Sequence, residues 1–367
     1  MTHNDPLPDL STTKLIGLLG DTHGEKGHVL TVSETMWARG VSVLVVLGDF
    51  GFIWPGHNWS KDLDKLSRKL GERGQVLYWL DGNHEDFDSL YGKFSLSEDG
   101  VRRLRHSIIH LPRGHRAVLR SGKSLAVLGG ANSIDQFHHT MGRGWWADAQ
   151  ITDQDLDALG HEHAEIMVGH DAPTPLPSLD ASLAKSDYLW PTPMLTYSAA
   201  GRQKLTEGFL QVCPSLYFGG HFHQFIDETV VYGEGEDAFE TRVVILAMNG
   251  PTTLSQAVLI VEPLEVEAFV RTEAIVTRLT GAETGLWHVH TVGSLHVFDL
   301  DAGTVERRPG AGAAILDSVG PRPLRSIIHC AVGAGGEWEI ESDDFRFEYF
   351  RHSSSTIERV ERIERKP

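Results

Sequence analysis

Cysteine is nearly missing from this chain: Cys213 and Cys330 are the only two among 367 residues. They lie far apart and fit no paired-thiol metal or redox pattern, so two ordinary thiols in a reducing compartment are expected. Positive charge is also short, with 33 Lys and Arg against 50 Asp and Glu, a formal net charge of -17. The summed field repels polyanions, which disfavours bulk attraction to nucleic acid or to an anionic membrane. Apolar runs are brief, none near the roughly 20 residues that cross a bilayer. The opening MTHNDPLPDLSTTK has neither the basic start nor the apolar stretch of a secretory signal. A cytoplasmic protein without a membrane partner is expected. A 41% apolar fraction, over a length that suits two or more domains, is ample for folded cores.

From Lys14 to about Val261 short apolar runs alternate with helix-like stretches. KLIGLLGDTHG reads as a strand opening into a loop, Glu25–Arg39 as a helix, VSVLVVLGDF as a buried strand, Trp59–Arg73 as a helix and QVLYWLDGNHE as a third strand. This βαβ rhythm belongs to a sheet covered by helices. HSIIHLP, HRAVLR, SLAVLGGANS and AEIMVGHDAP supply further strands, with a helix at Asp153–Leu159 capped by Thr152. The proline-rich stretch Ala172–Pro193 reads as a long loop, and Thr196–Val212 as a helix leading to the strand LYFGGHFHQF.

After TRVVILAMNG and SQAVLIVEP the pattern changes to short alternating strands, LWHVHTVG, LHVFDLDAG, EWEIES and FRFEYFRH, with a helix expected only in the charged tail Ile357–Arg365. The expected organisation is a tail over 1–13, an α/β domain over 14–265 and a small β-rich domain over 266–367.

Five strand ends carry the chemistry: GDTHG (Asp21, His23), LGDF (Asp49), DGNHE (Asn83, His84), VGHDAP (His170) and GGHFH (His221, His223). Each alone reads as turn chemistry, since Asp, Asn and Gly are common turn formers. All five, however, fall where α/β sheets place ligand sites, at the carboxyl ends of strands. Mixed carboxylate, amide and imidazole donors suit Mn²⁺, Fe or Zn²⁺ better than Ca²⁺ or Mg²⁺, and one carboxylate, for which Asp49 is the natural candidate, can bridge two cations.

The ordered series D-x-H, G-D, G-N-H-E, G-H and G-H-x-H over residues 14–262 resembles the calcineurin-like metallophosphoesterase superfamily. That resemblance implies an α/β (α+β) fold, a four-layer β-sandwich flanked by helices around two divalent metal ions, with Mn favoured and Fe or Zn alternatives. It implies Asp21, His23 and His223 on one metal, Asp49 bridging, and Asn83, His170 and His221 on the second. His84 is then a general acid or charge stabiliser beside the scissile bond. The implied chemistry is in-line attack of a metal-bridging hydroxide on a small phosphomonoester or phosphodiester.

Gly48-Asp49 is followed by FGFIWPG, without the DRG of the Ser/Thr protein phosphatases, so a phosphoprotein substrate is disfavoured. Trp54, Trp59, Trp145, Trp146 and Trp190 either wall a nucleobase or another apolar leaving group, or pack helices on the sheet. GGANSIDQFHHTMGRGWWADAQIT resembles a bacterial and phage subgroup of the superfamily and contains Arg143, a candidate phosphate ligand; Arg202 has a weaker claim. His138, His139, His161, His163, His288 and His290 read as solvated or packed side chains. The β-rich domain carries no evident chemistry and could dock a protein partner or self-associate. A nuclease and a non-catalytic metal-holding scaffold are the alternative functions.

Overall fold

Strands β1 (Leu15–Leu19), β2 (Val43–Val46) and β3 (Val76–Trp79) pair in parallel. Their side chains alternate between two faces, as the pleat requires. Ile16, Leu18, Val43, Val45, Val76 and Tyr78 enter one core, whereas Leu44, Val46, Leu77 and Trp79 enter another. This is a computed structural model, describing residues 7–55, 59–250, 253–269, 275–276, 278–281, 283–309, 320–341 and 349–363. The chain divides into two units, Met1–Arg271 and Thr272–Pro367.

In the first unit β4 (Arg102–Arg105) and β5 (Ile108–His110) extend the first sheet. The second sheet is built from β6 (Arg116–Val118), β7 (Ser124–Leu128), β8 (Ile166–Gly169), β9 (Leu216–Gly219), β10 (Ile226–Tyr232) and β11 (Phe239–Ile245). Its order is β10-β11-β9-β8-β7-β6. The chain then returns as β12 (Gln256–Val261), antiparallel to β1, and β13 (Leu264–Phe269). The first sheet therefore reads β13-β12-β1-β2-β3-β5-β4.

Leu125, Val127, Ile166, Val168, Leu216, Phe218 and Val244 meet Ile16, Val45 and their neighbours in the core between the sheets. Outside the first sheet lie α1 (Lys26–Ala38), α2 (Trp59–Glu72) and α3 (Phe87–Lys93); outside the second lie α4 (Asp153–Leu159), α5 (Pro177–Leu183) and α6 (Thr192–Val212). The four layers are helix, sheet, sheet and helix. Thr152 caps α4 as expected, in a capping box closed by Asp155.

Two readings of the first unit need correction. The stretch 172–193 is not all loop: α5 opens on Pro177, and α6 starts at Thr192 with Pro193 in its first turn. Proline is at home there because the first helical N–H groups have no intrahelical acceptor to lose. Nor is the 1–13 segment simply a tail, because Leu10 is buried in the core between the sheets; residues 1–6 lie outside the described residues.

The second unit is antiparallel throughout: β14 (Ile275–Val276), β15 (Leu286–Thr291), β16 (Ser294–Asp299), β17 (Thr304–Pro309), β18 (Arg322–His329), β19 (Gly335–Glu341) and β20 (Tyr349–Ile363). β20 pairs with β19 through its first half and with β15 through its second, closing the sheet on itself. Trp287, Phe298, Trp338, Ile357 and Val360 fill its core.

The tail expected as a helix is this second half of β20, with residues 364–365 outside the described set, as are residues 345–348 of FRFEYFRH. The three-residue spacing of Ile357 and Val360 mimics a helix stripe. A bulge that skips Glu358, where Ile357 faces Thr291 and Arg359 faces His290, lets both side chains turn inward. Among the described residues no helix is long and apolar enough to cross a membrane.

Candidate metal centre

Because β1, β2, β3, β8 and β9 run parallel within their sheets, each carries its motif to a carboxyl end. The two sheets deliver these ends to one place. His170, after β8, donates its Nδ1–H to the carbonyl of Leu47, after β2, at 2.7 Å. That bond leaves Nε2 as a lone-pair donor, and Nε2 lies 3.2 Å from both Asn83 Oδ1 and Asp49 Oδ1. On the other side, His223 Nε2 is 3.2 Å from Asp21 Oδ2, and His23 Nε2 is 3.5 Å from Asp49 Oδ2.

At this site two groups of described residues have ligand atoms close enough to share one ion: Asp21, His23 and His223, and Asp21, Asp49 and His170. Asn83 touches the second through its amide oxygen. The His221 ring stands 5.1 Å from that of His170, and its backbone N–H donates to Asp21 Oδ1 at 2.9 Å.

The residues fit a pair of cations. Asp21 and Asp49 are buried carboxylates, and among the described residues Asp21 Oδ2 accepts no well-aligned hydrogen bond, only the His223 ring nitrogen lying near it. Burying two anions is costly unless cations compensate them. Among the described residues the compensation comes from imidazoles and from the backbone N–H groups of Asn83, His84 and His221. Burial pushes the Asp49 carboxyl up, but His170 and His84 outweigh it and hold the group well below its ordinary value. Burial pulls His170 down, and Asp49 and Asp21 reverse that, raising its pKa. For His221 burial and the neighbouring His170 act together, lowering it to about 3, which keeps its ring neutral and able to donate a lone pair.

Backbone strain accompanies the site. His23, Asp49, His221 and His223 have φ of 44°, 47°, 67° and 57°, all left-handed. Such conformations persist in non-glycine residues only where the surroundings enforce them. Gly82 is required by close approach, since a Cβ there would lie 2.2 Å from Asp49 Oδ1.

His84 donates its backbone N–H to Asp49 Oδ1 at 2.8 Å, and its ring sits 5.9 Å from that of His23 and 6.0 Å from that of Trp54. Trp54 in turn meets Trp146 edge-on at 5.6 Å. Arg143, three residues before Trp146, is exposed in a turn where its N–H donates to Thr140; the contacts binding the cluster together do not include it. Arg202 is buried and committed elsewhere, to Asp180 and to the carbonyls of Ala172 and Pro173, with Phe222 against its guanidinium. It fixes the loops after His170 and between His221 and His223, and is not available to a phosphate.

Several supporting residues escaped the sequence reading. Glu85 accepts from the N–H groups of Phe50 and Gly51 at 2.6 and 3.3 Å, bracing the loop that carries Asp49. Ser133 accepts from Asn83 Nδ2 at 3.2 Å and donates to Asp135 at 2.5 Å, which turns the amide oxygen of Asn83 toward His170. Asn249 approaches His23 Nδ1 at 3.5 Å, and its backbone N–H donates to Asp21 O. The S-I-D of GGANSID was the available signal for Ser133; nothing in the sequence marks Asn249. His139 and His290, read from the sequence as solvated or packed side chains, pair with Asp135 and Glu361. His288, His290 and Glu361 cluster as potential ligands, although the Arg359 guanidinium already lies 3.2 Å from His290 Nε2.

Residues 14–225 match the calcineurin-like phosphoesterase family. No curated protein matches the chain. Among solved structures, one from Thermus thermophilus is 11% identical, covers 71% of this chain and 100% of its own, with a TM-score of 0.41. A dimetal phosphatase from Danio rerio is 12% identical, covers 69% of this chain and 93% of its own, with a TM-score of 0.39. An archaeal phosphodiesterase is 11% identical, covers 70% of this chain and 99% of its own, with a TM-score of 0.29. On the match over residues 14–225, the chain belongs to the calcineurin-like phosphoesterase family.

Proposed function

We propose that this chain hydrolyses a small phosphomonoester or phosphodiester with the help of two divalent metal ions. The observation that carries this reading is the position of Asp49, whose two carboxylate oxygens face the two sides of the cluster: Oδ1 lies 3.2 Å from His170 Nε2 and Oδ2 lies 3.5 Å from His23 Nε2. Asp21, His23 and His223 would hold one ion, Asn83, His170 and His221 the other, with Asp49 between them. Mn²⁺ is our first choice, with Fe or Zn²⁺ compatible with the same donors. When bound, such ions generate a nucleophile from water near neutral pH and neutralise phosphoryl oxygens.

The chain's own residues then orient and exchange protons. His84, anchored by its N–H to Asp49, has its ring at the cavity side of the cluster and would donate a proton to the leaving oxygen. Arg143, exposed in a turn three residues before Trp146, is proposed as a phosphate contact. The near absence of cysteine from the sequence supports a reducing, cytoplasmic setting. For the second unit we propose docking of a protein partner or self-association. Its truncation belongs after Arg271, because β13 is part of the first sheet; unchanged self-association and partner capture in that chain would remove the role.

The test is initial rates of metal-stripped protein reconstituted with Mn²⁺, on p-nitrophenyl phosphate and bis-p-nitrophenyl phosphate, with Asp49→Asn as control. Metal-dependent turnover lost in the variant is expected. Silence on both esters from a fully loaded protein would overturn the reading.

A further inference from the structure

The second unit carries a cluster that the proposed reaction does not use. His288 and His290 are two residues apart on β15 and therefore share one face of the sheet, opposite to that of Trp287 and Val289 in the core. Glu361 on β20 pairs directly with His288 across the ladder, which sets its carboxylate beside both rings. One donor atom from each of the three lies within 4.8 Å of the others, and His290 Nε2 is 2.7 Å from Glu361 Oε1. All three residues are half-buried. Donors held by a tetrahedral ion at about 2.0–2.1 Å stand about 3.3 Å apart, so small side-chain rotations bring these atoms onto one ion.

The cluster already holds a positive charge. Arg359, opposite His290 on β20, places one guanidinium nitrogen 3.2 Å from His290 Nε2 and 3.1 Å from Glu361 Oε1. A cation is thus seated between imidazole and carboxylate, where a metal would sit. The Arg359 side chain is 46% exposed. Ion pairs of that exposure contribute little, so the guanidinium gives way to solvent at small cost. The ladder supplies a use for the site. Its register shifts immediately after His290, where Thr291 faces Ile357 and β20 bulges. An ion shared by β15 and β20 would hold the strands together beside this interruption.

We propose that His288, His290 and Glu361 bind a zinc ion that fastens β15 to β20. Two imidazoles and one carboxylate suit Zn²⁺, which accepts a tetrahedral set with water in the fourth position. Ca²⁺ and Mg²⁺ require more oxygen donors, and Mn²⁺ binds such a set more weakly. The proposal is independent of the hydrolase reading, because none of its residues belongs to the cluster around Asp49.

The test compares wild type with His290→Gln and Glu361→Gln, and with His138→Ala as a control for stray binding by an exposed imidazole. Each full-length chain is loaded with Zn²⁺ or Mn²⁺, desalted and assayed by elemental analysis, with circular dichroism to verify folding. Each cluster variant should hold one Zn²⁺ fewer than wild type and the same Mn²⁺, while His138→Ala matches wild type. In the zinc-loaded chains, hydrogen exchange in β15 and the second half of β20 should be about tenfold slower in wild type than in Glu361→Gln. Equal zinc in wild type and in whichever variant folds, or an equal loss in His138→Ala, overturns the site. Zinc bound without the slower exchange overturns its fastening role.

Discussion

His170 is tied to the backbone of Leu47 by a 2.7 Å hydrogen bond that crosses from the second sheet to the first. The bond fixes which imidazole nitrogen carries the proton and aims the other at Asn83 and Asp49. The ligand geometry is thus a property of how two sheets pack.

Asn83 presents its oxygen to His170 because Ser133 takes its amide N–H. Ser133→Ala should leave the fold intact and weaken the ion proposed to be held by Asn83, His170 and His221 about 10- to 100-fold, the usual effect of removing a partner that orients a ligand. Calorimetric titration with Mn²⁺ checks it; unchanged affinity would show that the amide needs no such support.

His84 is proposed to act on the leaving group and not on the metals. His84→Ala should retain both ions while kcat on an ester with a poor leaving group falls about 10²- to 10⁴-fold. An ester with a good leaving group should lose less, because it needs little protonation. Equal losses on the two esters, measured at saturating substrate, would assign the residue to charge stabilisation.

Arg113 lies beneath the DGNHE loop, pairing Asp81 at 2.7 Å and Asp155 at 3.0 Å. It also donates to the carbonyls of Asp148 and Gln150. His110 reaches the same Asp81 at 3.2 Å, and Asp81 is fully buried. Arg113→Ala would strand that carboxylate and should cost about 3–5 kcal/mol in urea unfolding, as breaking a buried pair does. A loss below about 1 kcal/mol would mean that water or His110 takes over the pairing.

The sequence carried the fold and the ligand series for a plain physical reason. In β2, Val43–Val46 alternates between two buried faces, so the run is apolar throughout and ends at Gly48-Asp49. Strand ends of this kind recur with the donor residues attached, and their parallel arrangement brings them together. What stayed hidden depends on partners distant in the chain or on backbone angles. Arg202 resembles a phosphate ligand until Asp180 and two carbonyls are seen around it. The left-handed φ of His23, Asp49, His221 and His223 has no signature in residue type, since glycine is the usual occupant of that region. The strand character of Ile357–Ile363 depends on a bulge at Glu358 that only the pairing with β15 reveals.

The central claim is that Asp49 joins two metal ions, and the direct measurement is metal stoichiometry by elemental analysis after Mn²⁺ loading and desalting, with melting temperature followed in parallel. The account predicts two ions per wild-type chain, at most one in Asp49→Asn, and a melting temperature that rises on loading because the ions bind only the folded site. Two tightly held ions in Asp49→Asn, or none in the wild type, would contradict it.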